Sequence, residues 1–341
     1  MWVCTITSGS FDTVLTKLPF LSNLIMLDLF ALDLKNLSLN ALINNLGSLQ
    51  KLYLYSVNIS VSPIRSVHSS STNTTPSLQE LSITYCGLTG NFPSWIFHIK
   101  SLTVLEVLVS QNENLCGELP EFIEGSALQE LSLTGTKLSG KIPESIGNLR
   151  NLTVLDLSNC QLNGSIPPFT QWPMIESIDL SGNNLIGSLS SDGYYALRNL
   201  KIVDLSNNSI SGVVPASLFS SPSLVYLDLS QNNFTGNFQL CPNISFNLRV
   251  IDVSNNKLQG PIPELLSELV GINRLDLSSN NFTGTVDLSF IKNYMDLSYL
   301  SLSYNKLSVV EEHIAIIPTQ NIHLFGSWDW HHVTYHMCQN S

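Results

Sequence analysis

Six aspartates recur at near-constant spacing along this chain: Asp156, Asp179, Asp204, Asp228, Asp252 and Asp276. Carboxylates gathered on one face can do two kinds of chemistry. A pair of them can serve as acid and base on a glycosidic bond, provided that the surroundings raise the pKa of one. A row of them can hold a basic peptide by charge. An open, solvated row has no pocket to raise one pKa, so the pattern favours binding over catalysis. The column has a plainer reading as well. Each Asp sits in a repeated L-D-L-S or similar string, where it can pair with the neighbouring Ser. No G-x-S-x-G, H-E-x-x-H, phosphate-cradling glycine loop or kinase motif set occurs, and no enzyme is expected.

Less uniform residues are better candidates for specificity. Tyr53, Tyr55 and Tyr85 cluster early, while Tyr226, Arg274, Tyr299 and Tyr304 cluster late. Tyr and Arg are common anchors of protein interfaces. Metal chemistry has less footing. The six cysteines, Cys4, Cys86, Cys116, Cys160, Cys241 and Cys338, are scattered with no C-x-x-C pair. His331, His332, His336 and Cys338 form an H-H-x-x-x-H-x-C string that zinc could use in principle. With His313 and His323, that string belongs to a tail that follows no other pattern of the chain, so no metal site and no cofactor are expected. Trp328 and Trp330 of that tail could cover an open core edge.

Composition narrows the partners. Of 341 residues only 12% are charged, against roughly 25% in an ordinary soluble domain. Asn (33) and Ser (48) supply the polar surface instead. A net charge of −11 excludes the basic face that nucleic acid needs. No run of 18 apolar residues occurs, so no membrane-spanning segment is expected in this chain, and the first 17 residues do not read as a secretory leader.

The elements that must position these residues follow from a repeat. "LRNLTVLDLSNCQLNGSIP", "LRNLKIVDLSNNSISGVVP" and "FNLRVIDVSNNKLQGPIP" share the template L-x-x-L-x-x-L-x-L-x-x-N-x-L-x-G-x-I-P. Its fourth position falls on Leu24, Leu49, Leu78, Leu102, Leu128, Leu152, Ile175, Leu200, Leu224, Leu248, Ile272 and Leu297, which number the coils one to twelve below. The mean step is about 25 residues, within the 20–29 of leucine-rich repeats. Positions 7 and 9 alternate with outward positions 6, 8 and 10, which is strand periodicity. Each coil therefore contributes one strand to a parallel sheet and one return segment opposite. Since a single coil cannot bury its lateral faces, coils stack.

Position 12 explains much of the asparagine. Its amide can both donate and accept, and so satisfy peptide groups of two coils where the chain bends away from the sheet. Asn183, Asn208, Asn232, Asn256, Asn280 and Asn305 occupy it, and Cys86, Thr136 and Cys160 stand in elsewhere. Leu32 and Val57 cannot, which marks the N-terminal end as degenerate. Gly140, Gly164, Gly212 and Gly260 permit a sharp turn, and Pro143, Pro167, Pro215 and Pro263 fit the start of a short helix.

The L-x-G-x-I-P return is the plant-specific form of the repeat. The strings "LSGKIPESIGNLRNLTVLDLSNCQLNGSIP" and "LQKLYLYSVNIS" resemble the ectodomains of plant receptor-like proteins of the Verticillium-wilt and leaf-mould resistance type, over about residues 20–310. The expected fold is an α/β solenoid, a right-handed leucine-rich-repeat superhelix with a concave parallel β-sheet and an irregular or short-helical convex side. Residues 1–20 read as a degenerate segment without a cysteine-paired cap, 21–308 as about twelve repeats with a Ser/Thr-rich insert at 59–75, and 309–341 as a non-repeat His/Trp-rich tail. Against the receptor plan the chain reads as a truncated piece of the repeat array.

The resemblance implies a recognition module at the extracellular face of the plasma membrane, active in pathogen perception and defence signalling. Its partners are then a peptide or protein ligand on the concave face and a co-receptor kinase. A secreted inhibitor of microbial cell-wall hydrolases, or a paralogue without autonomous function, is the alternative. N-x-S/T sequons at Asn36, Asn58, Asn73, Asn151, Asn163, Asn233, Asn243 and Asn281 are candidate glycosylation sites. Asn207 is a ninth, set aside because it faces the recognition surface.

Overall fold

Alternating apolar positions lay down a strand in every coil, and the strands stack side by side. The computed structural model describes residues 2–6, 23–60, 77–108, 114–191, 193–287, 294, 296–310 and 323–324. One parallel sheet of fourteen strands runs the length of the molecule in chain order. Its register is fixed by the repeat. Asp156 pairs with Asp179, Asp179 with Asp204, Asp204 with Asp228, Asp228 with Asp252 and Asp252 with Asp276.

Two strands lie outside the twelve repeats. Trp2–Ile6 pairs with Leu24–Phe30, and His323–Leu324 pairs with Tyr299–Ser301. The first has the right alternation, with Val3 and Thr5 outward and Cys4 and Ile6 half-buried beside Leu27 and Leu29. Segments read as non-repeat thus extend the sheet by a strand at each end. Of the Ser/Thr-rich insert at 59–75, Ile59 and Ser60 belong instead to a short strand, Asn58–Ser60, that pairs with Asp33–Ser38; its remainder, the strings around His313 and His331 to Cys338, Trp328, Trp330 and Asn73 lie outside the described residues.

The return side departs from the expected single strand per coil. Short strands recur there, among them Lys137–Lys141, Gln161–Ser165 and Asn184–Ile186, and pair with their neighbours in parallel. Once coils stack at constant step, the peptide groups of adjacent L-x-G segments face one another, and pairing leaves few of them orphaned. Gly140 and Gly164 then turn the chain at φ +78° and +77°.

Among the described residues the α-helix is Leu39–Asn45, capped by Ser38, whose Oγ accepts the Ala41 N–H at 3.2 Å. Later returns hold single 3-10 turns such as Glu144–Asn148, Ala216–Ser220 and Glu264–Glu268. Pro143, Pro215 and Pro263 stand just before these turns in extended conformation rather than inside them. Around Pro167 the next residue, Pro168, takes that role ahead of Phe169–Gln171.

The core is one continuous column. Leu27, Leu29, Leu52, Leu54, Leu155 and Leu157 from positions 7 and 9 are buried, as are their counterparts in later coils. Each such side chain contributes about 1.5–3 kcal/mol. The return side closes the column with Phe219, Phe238 and Phe282, edge to face at 5.4 and 6.3 Å, and with Trp172, whose indole donates to Ile146 O.

Position 12 links coil to coil. The Asn183 amide donates to Leu157 O at 2.8 Å and to Leu180 O at 3.0 Å, while its Oδ1 accepts the Leu162 N–H. Asn208, Asn232, Asn256, Asn280 and Asn305 each donate to the preceding coil in the same way. The Thr136 hydroxyl and the Cys160 thiol both donate to Leu133 O, and the Cys86 thiol donates to Leu54 O. Where Leu32 and Val57 stand instead, the backbone takes over. Ala31 N–H donates to Tyr55 O, Ser56 N–H to Thr84 O and Asn58 N–H to Leu32 O. The strands of these first coils, Leu24–Phe30 and Lys51–Tyr55, are longer than the three-residue strands that follow Ser132 in the long sheet. The end that looks degenerate in sequence is thus the best paired in the sheet.

Candidate recognition face

The outward face of the long sheet carries positions 6, 8 and 10, so the aspartate column lies along it. It is not an open acidic stripe. Asp252 and Asp276 are buried, and Asp156, Asp179, Asp204 and Asp228 are half-buried. In each the Oδ1 accepts the N–H of the Ser two residues on: Ser158 at 3.0 Å, Ser181 at 2.9, Ser206 at 3.0, Ser230 at 2.9, Ser254 at 3.0 and Ser278 at 3.1. The hydroxyls of Ser158, Ser181, Ser206 and Ser278 donate to the same oxygen. This is an Asx turn repeated once per coil. It takes the Ser N–H out of sheet pairing, and the position-12 amide of the next coil fills the carbonyl beside it.

Burial has an electrostatic consequence that a solvated stripe would lack. It pushes the carboxyls of Asp179, Asp204, Asp228 and Asp252 above their ordinary range, against the hydrogen bonds from Ser, and neighbouring carboxylates push the same way. The second oxygens are covered unevenly. Tyr226 donates to Asp228 at 3.3 Å and reaches Asp204 at 3.5 Å. The Arg274 guanidinium bridges Asp252 and Asp276 at 3.2 and 3.3 Å and lies 3.9 Å over the Tyr299 ring, and Tyr299 donates to Asp276 at 3.0 Å. These three residues therefore clamp the column while keeping one flank outward.

At the other end of the face Tyr53 is tied to Glu80, which also pairs with Lys51 at 2.6 Å. Burial, reinforced by Glu80, holds the Tyr53 phenol at about 12. Burial works to raise the Glu80 pKa, but hydrogen bonds from Lys51 and Tyr53 outweigh it and the net shift is downward. Tyr55 and Tyr85 remain outward. Tyr55 stacks on Phe30 at 5.1 Å and meets Tyr85 edge-on at 5.2 Å. Phe30, 44% exposed, completes a three-ring patch that the sequence reading missed. Its signal is its position: it occupies the same outward register as Tyr55 in the coil before. Ile202, beside Tyr226 in the sheet, is a second exposed residue without an earlier signal.

A bend follows the long-sheet strand wherever position 11 lies among the described residues. Position 11 has positive φ at all eleven described positions: Ala31, Ser56, Tyr85, Asn159, Asn207, Gln231, Asn255, Ser279 and Tyr304, with Gly135 and Gly182. Gly and Asn suit this conformation; a large ring does not, at a cost of roughly 1–2 kcal/mol. Tyr85 (φ 57°) and Tyr304 (φ 54°) hold it nonetheless, and Tyr304 is 68% exposed.

Other candidates are placed plainly. The side chains of Asn58, Asn151, Asn163, Asn207, Asn243 and Asn281 are exposed and Asn233 is half-buried. Cys4, Cys86, Cys116, Cys160 and Cys241 are free thiols. Burial pushes Cys86 up to about 11 and raises Cys160, as suits hydrogen-bonding residues of the ladder. Among the described residues no group of His, Cys, Asp and Glu gathers for a metal ion, and no helix is long and apolar enough to cross a membrane.

Family models named Leucine rich repeat match residues 173–234 and single repeats at 77–99, 127–149 and 247–269, and one for two copies matches 150–193. The fold is a leucine-rich-repeat solenoid. No curated protein sequence matches the chain. Solved structures do. A plant peptide hormone receptor, RGFR1 in complex with RGF2, superposes with a TM-score of 0.72 at 24% identity over 91% of this chain and 51% of that one. The Arabidopsis receptor kinase HAESA, in complex with the peptide hormone IDA and the co-receptor SERK1, gives 0.57 at 28% identity over 85% of this chain and 56% of that one. A plant ice-binding protein gives 0.56 at 27% identity over 70% and 75%. The leucine-rich-repeat chain thus spans about half the length of the two receptor structures.

Proposed function

We propose that this solenoid is the peptide- or protein-recognition module of a plant cell-surface receptor-like protein, working outside the cell in pathogen perception and defence signalling. The outward face of the long sheet is the binding surface, and a co-receptor kinase is the second partner. The observation that carries the reading is the pair of aromatic residues kept at strained positions of that face. Tyr85 and Tyr304 occupy bends where Gly or Asn would be more stable, and strain of this kind concentrates at functional sites. Around them lie the exposed Phe30–Tyr55 stack and the Arg274–Tyr299 pair. Asp28, Glu106 and the aspartate column lie on the same face, in the register of Tyr53. Aromatic rings beside carboxylates suit a peptide with basic and apolar side chains. The peptide-hormone complexes of RGFR1 and HAESA support the same use of such a solenoid.

The test is a random-peptide display library panned on the full chain. Enriched peptides should combine basic with aromatic or aliphatic residues, and their affinity should drop at least about tenfold for Tyr55→Ala and for Tyr85→Ala. Peptides that bind both variants as well as the parent chain would sink the proposal.

A further inference from the structure

Position 6 of the outward face reads Val154, Ser177, Ile202, Tyr226, Val250, Arg274 and Tyr299 in coils six to twelve. Two members of this row each bridge a pair of column carboxylates. Tyr226 lies between Asp204 and Asp228, its hydroxyl 3.5 and 3.3 Å from their Oδ2 atoms. Arg274 lies between Asp252 and Asp276, at 3.2 and 3.3 Å. The remaining pair, Asp156 and Asp179, has Ser177 at the corresponding place, two coils before Tyr226 and four before Arg274. A serine side chain is too short to span two coils.

The Oδ1 atoms of this pair are taken by Ser158 and Ser181. The Oδ2 of Asp156 has a long contact, 3.5 Å, from the Ser132 hydroxyl, and the Oδ2 of Asp179 accepts no hydrogen bond among the described residues. The surroundings repeat those of Arg274. Val154 precedes Ser177 in the sheet as Val250 precedes Arg274. Exposed Ile202 follows Ser177 as the Tyr299 ring follows Arg274. Each place therefore has two apolar walls and two carboxylates in adjacent coils, about 4.8 Å apart. Two carboxylates alone would not name a ligand. The equivalent place does, because a guanidinium occupies it and lies 3.9 Å from the centre of the ring that walls it.

The pattern selects a planar, forked cation. A guanidinium has N–H groups for both carboxylates at once, and its stem packs on apolar side chains; an ammonium is a compact point charge without that fork. We propose that the outward face takes up an arginine side chain of its ligand over Ser177, with the guanidinium bridging Asp156 and Asp179 between Val154 and Ile202. The inference rests on the peptide reading of that face and adds a register to it. At about 4.8 Å per coil and about 3.3 Å per extended residue, Tyr226 lies about four ligand residues from the arginine on one side and Tyr85 about five on the other.

The probe is N-acetyl-arginine methylamide, titrated into the isotope-labelled full chain and followed by backbone amide resonances, with the lysine and the neutral citrulline analogues alongside. The arginine probe should shift the Ser177 and Ser181 amides saturably, with half-saturation below about 10 mM and at least about fivefold tighter than lysine, and citrulline should shift neither. Ser177→Arg supplies the side chain from the protein itself, as Arg274 does, and should abolish the shifts. Should that variant fail to fold, Asp179→Asn keeps the Oδ1 acceptor of the bend and should weaken the probe at least about fivefold. The inference is overturned if neither amide shifts saturably, if lysine binds there as well as arginine, or if the shifts survive both variants unchanged. The probe is not a peptide, so the two readings fail separately. Display-selected peptides that bind the face while the probe leaves Ser177 unmoved would strike this inference and leave the peptide reading standing; a saturating probe where no peptide binds would do the reverse.

Discussion

Replacing Asn232 by Ala removes one rung of the ladder and shows what the rung is worth. The amide donates to Leu205 O at 2.8 Å in the coil before, and to Ser230 O at 3.1 Å and Leu229 O at 3.3 Å in its own. Its oxygen accepts the Ile210 N–H at 2.9 Å. Leu205 and Ile210 are buried, so water cannot take over. Leu205 O keeps the Asn208 amide at 3.1 Å, so the Ile210 N–H is the group left unpaired, for a loss of about 1–3 kcal/mol. Asn232→Asp keeps the acceptor for Ile210 but sets a carboxylate against Leu205 O, and should lose at least as much. Asn305→Ala, at a half-buried rung, should lose less because solvent can reach it. Urea unfolding gives the totals, and amide exchange locates them. Because stability in a stacked array is local, the Ile210 amide should lose protection first. A loss under about 1 kcal/mol for Asn232→Ala, or unchanged exchange at Ile210, would refute the rung as the link between coils.

Three further outcomes follow from the same geometry. Tyr304→Asn should raise stability by about 1 kcal/mol, because Asn tolerates φ 54°, while weakening the display-selected peptides; a neutral or destabilising result in urea would remove the strain from the functional reading. The raised carboxyls of Asp179, Asp204, Asp228 and Asp252 favour the protonated form in the fold. Their contribution is complete below the ordinary value of 3.8 and is lost as pH rises through the folded values, so these four groups should make the chain more stable at pH 4–5 than at pH 7, and Asp228→Asn should flatten that dependence in thermal melts. Iodoacetamide at pH 8 should modify half-exposed Cys4, Cys116 and Cys241 in native protein and spare Cys86 and Cys160 until urea is added, as peptide mass mapping would record.

The fold was legible because the repeat is a spacing pattern, and spacing alone decides which residues share a column. Asn183 and its counterparts could be placed on a ladder before any coordinates, since a bend that buries peptide groups needs a side chain that donates and accepts. What was not legible depended on depth. Asp252 and Asp228 look exposed in a strand pattern, yet the Ser two residues on folds back onto each and the column sinks into the face. Likewise Tyr226, Arg274 and Tyr299 read as free anchors, although each spends a hydrogen bond on that column. Phe30 escaped notice because its coil lacks Asn at position 12 and looked degenerate, whereas backbone pairing keeps it in register with Tyr55. The bend at Tyr85 and Tyr304 had a signal in Gly135, Asn159, Gly182, Asn207 and Asn255, the small or amide residues of the same column.

The central claim is that the outward face of the long sheet is where a peptide binds. Hydrogen exchange of the full chain, with and without a saturating display-selected peptide, tests it most directly. The account predicts slowed exchange in Leu24–Phe30, Lys51–Tyr55 and Glu80–Thr84 or in Tyr226–Asp228, Arg274–Asp276 and Tyr299–Ser301, and none in the return strands Lys137–Lys141 and Gln161–Ser165. Protection confined to the return strands, with the long sheet unchanged, would contradict it.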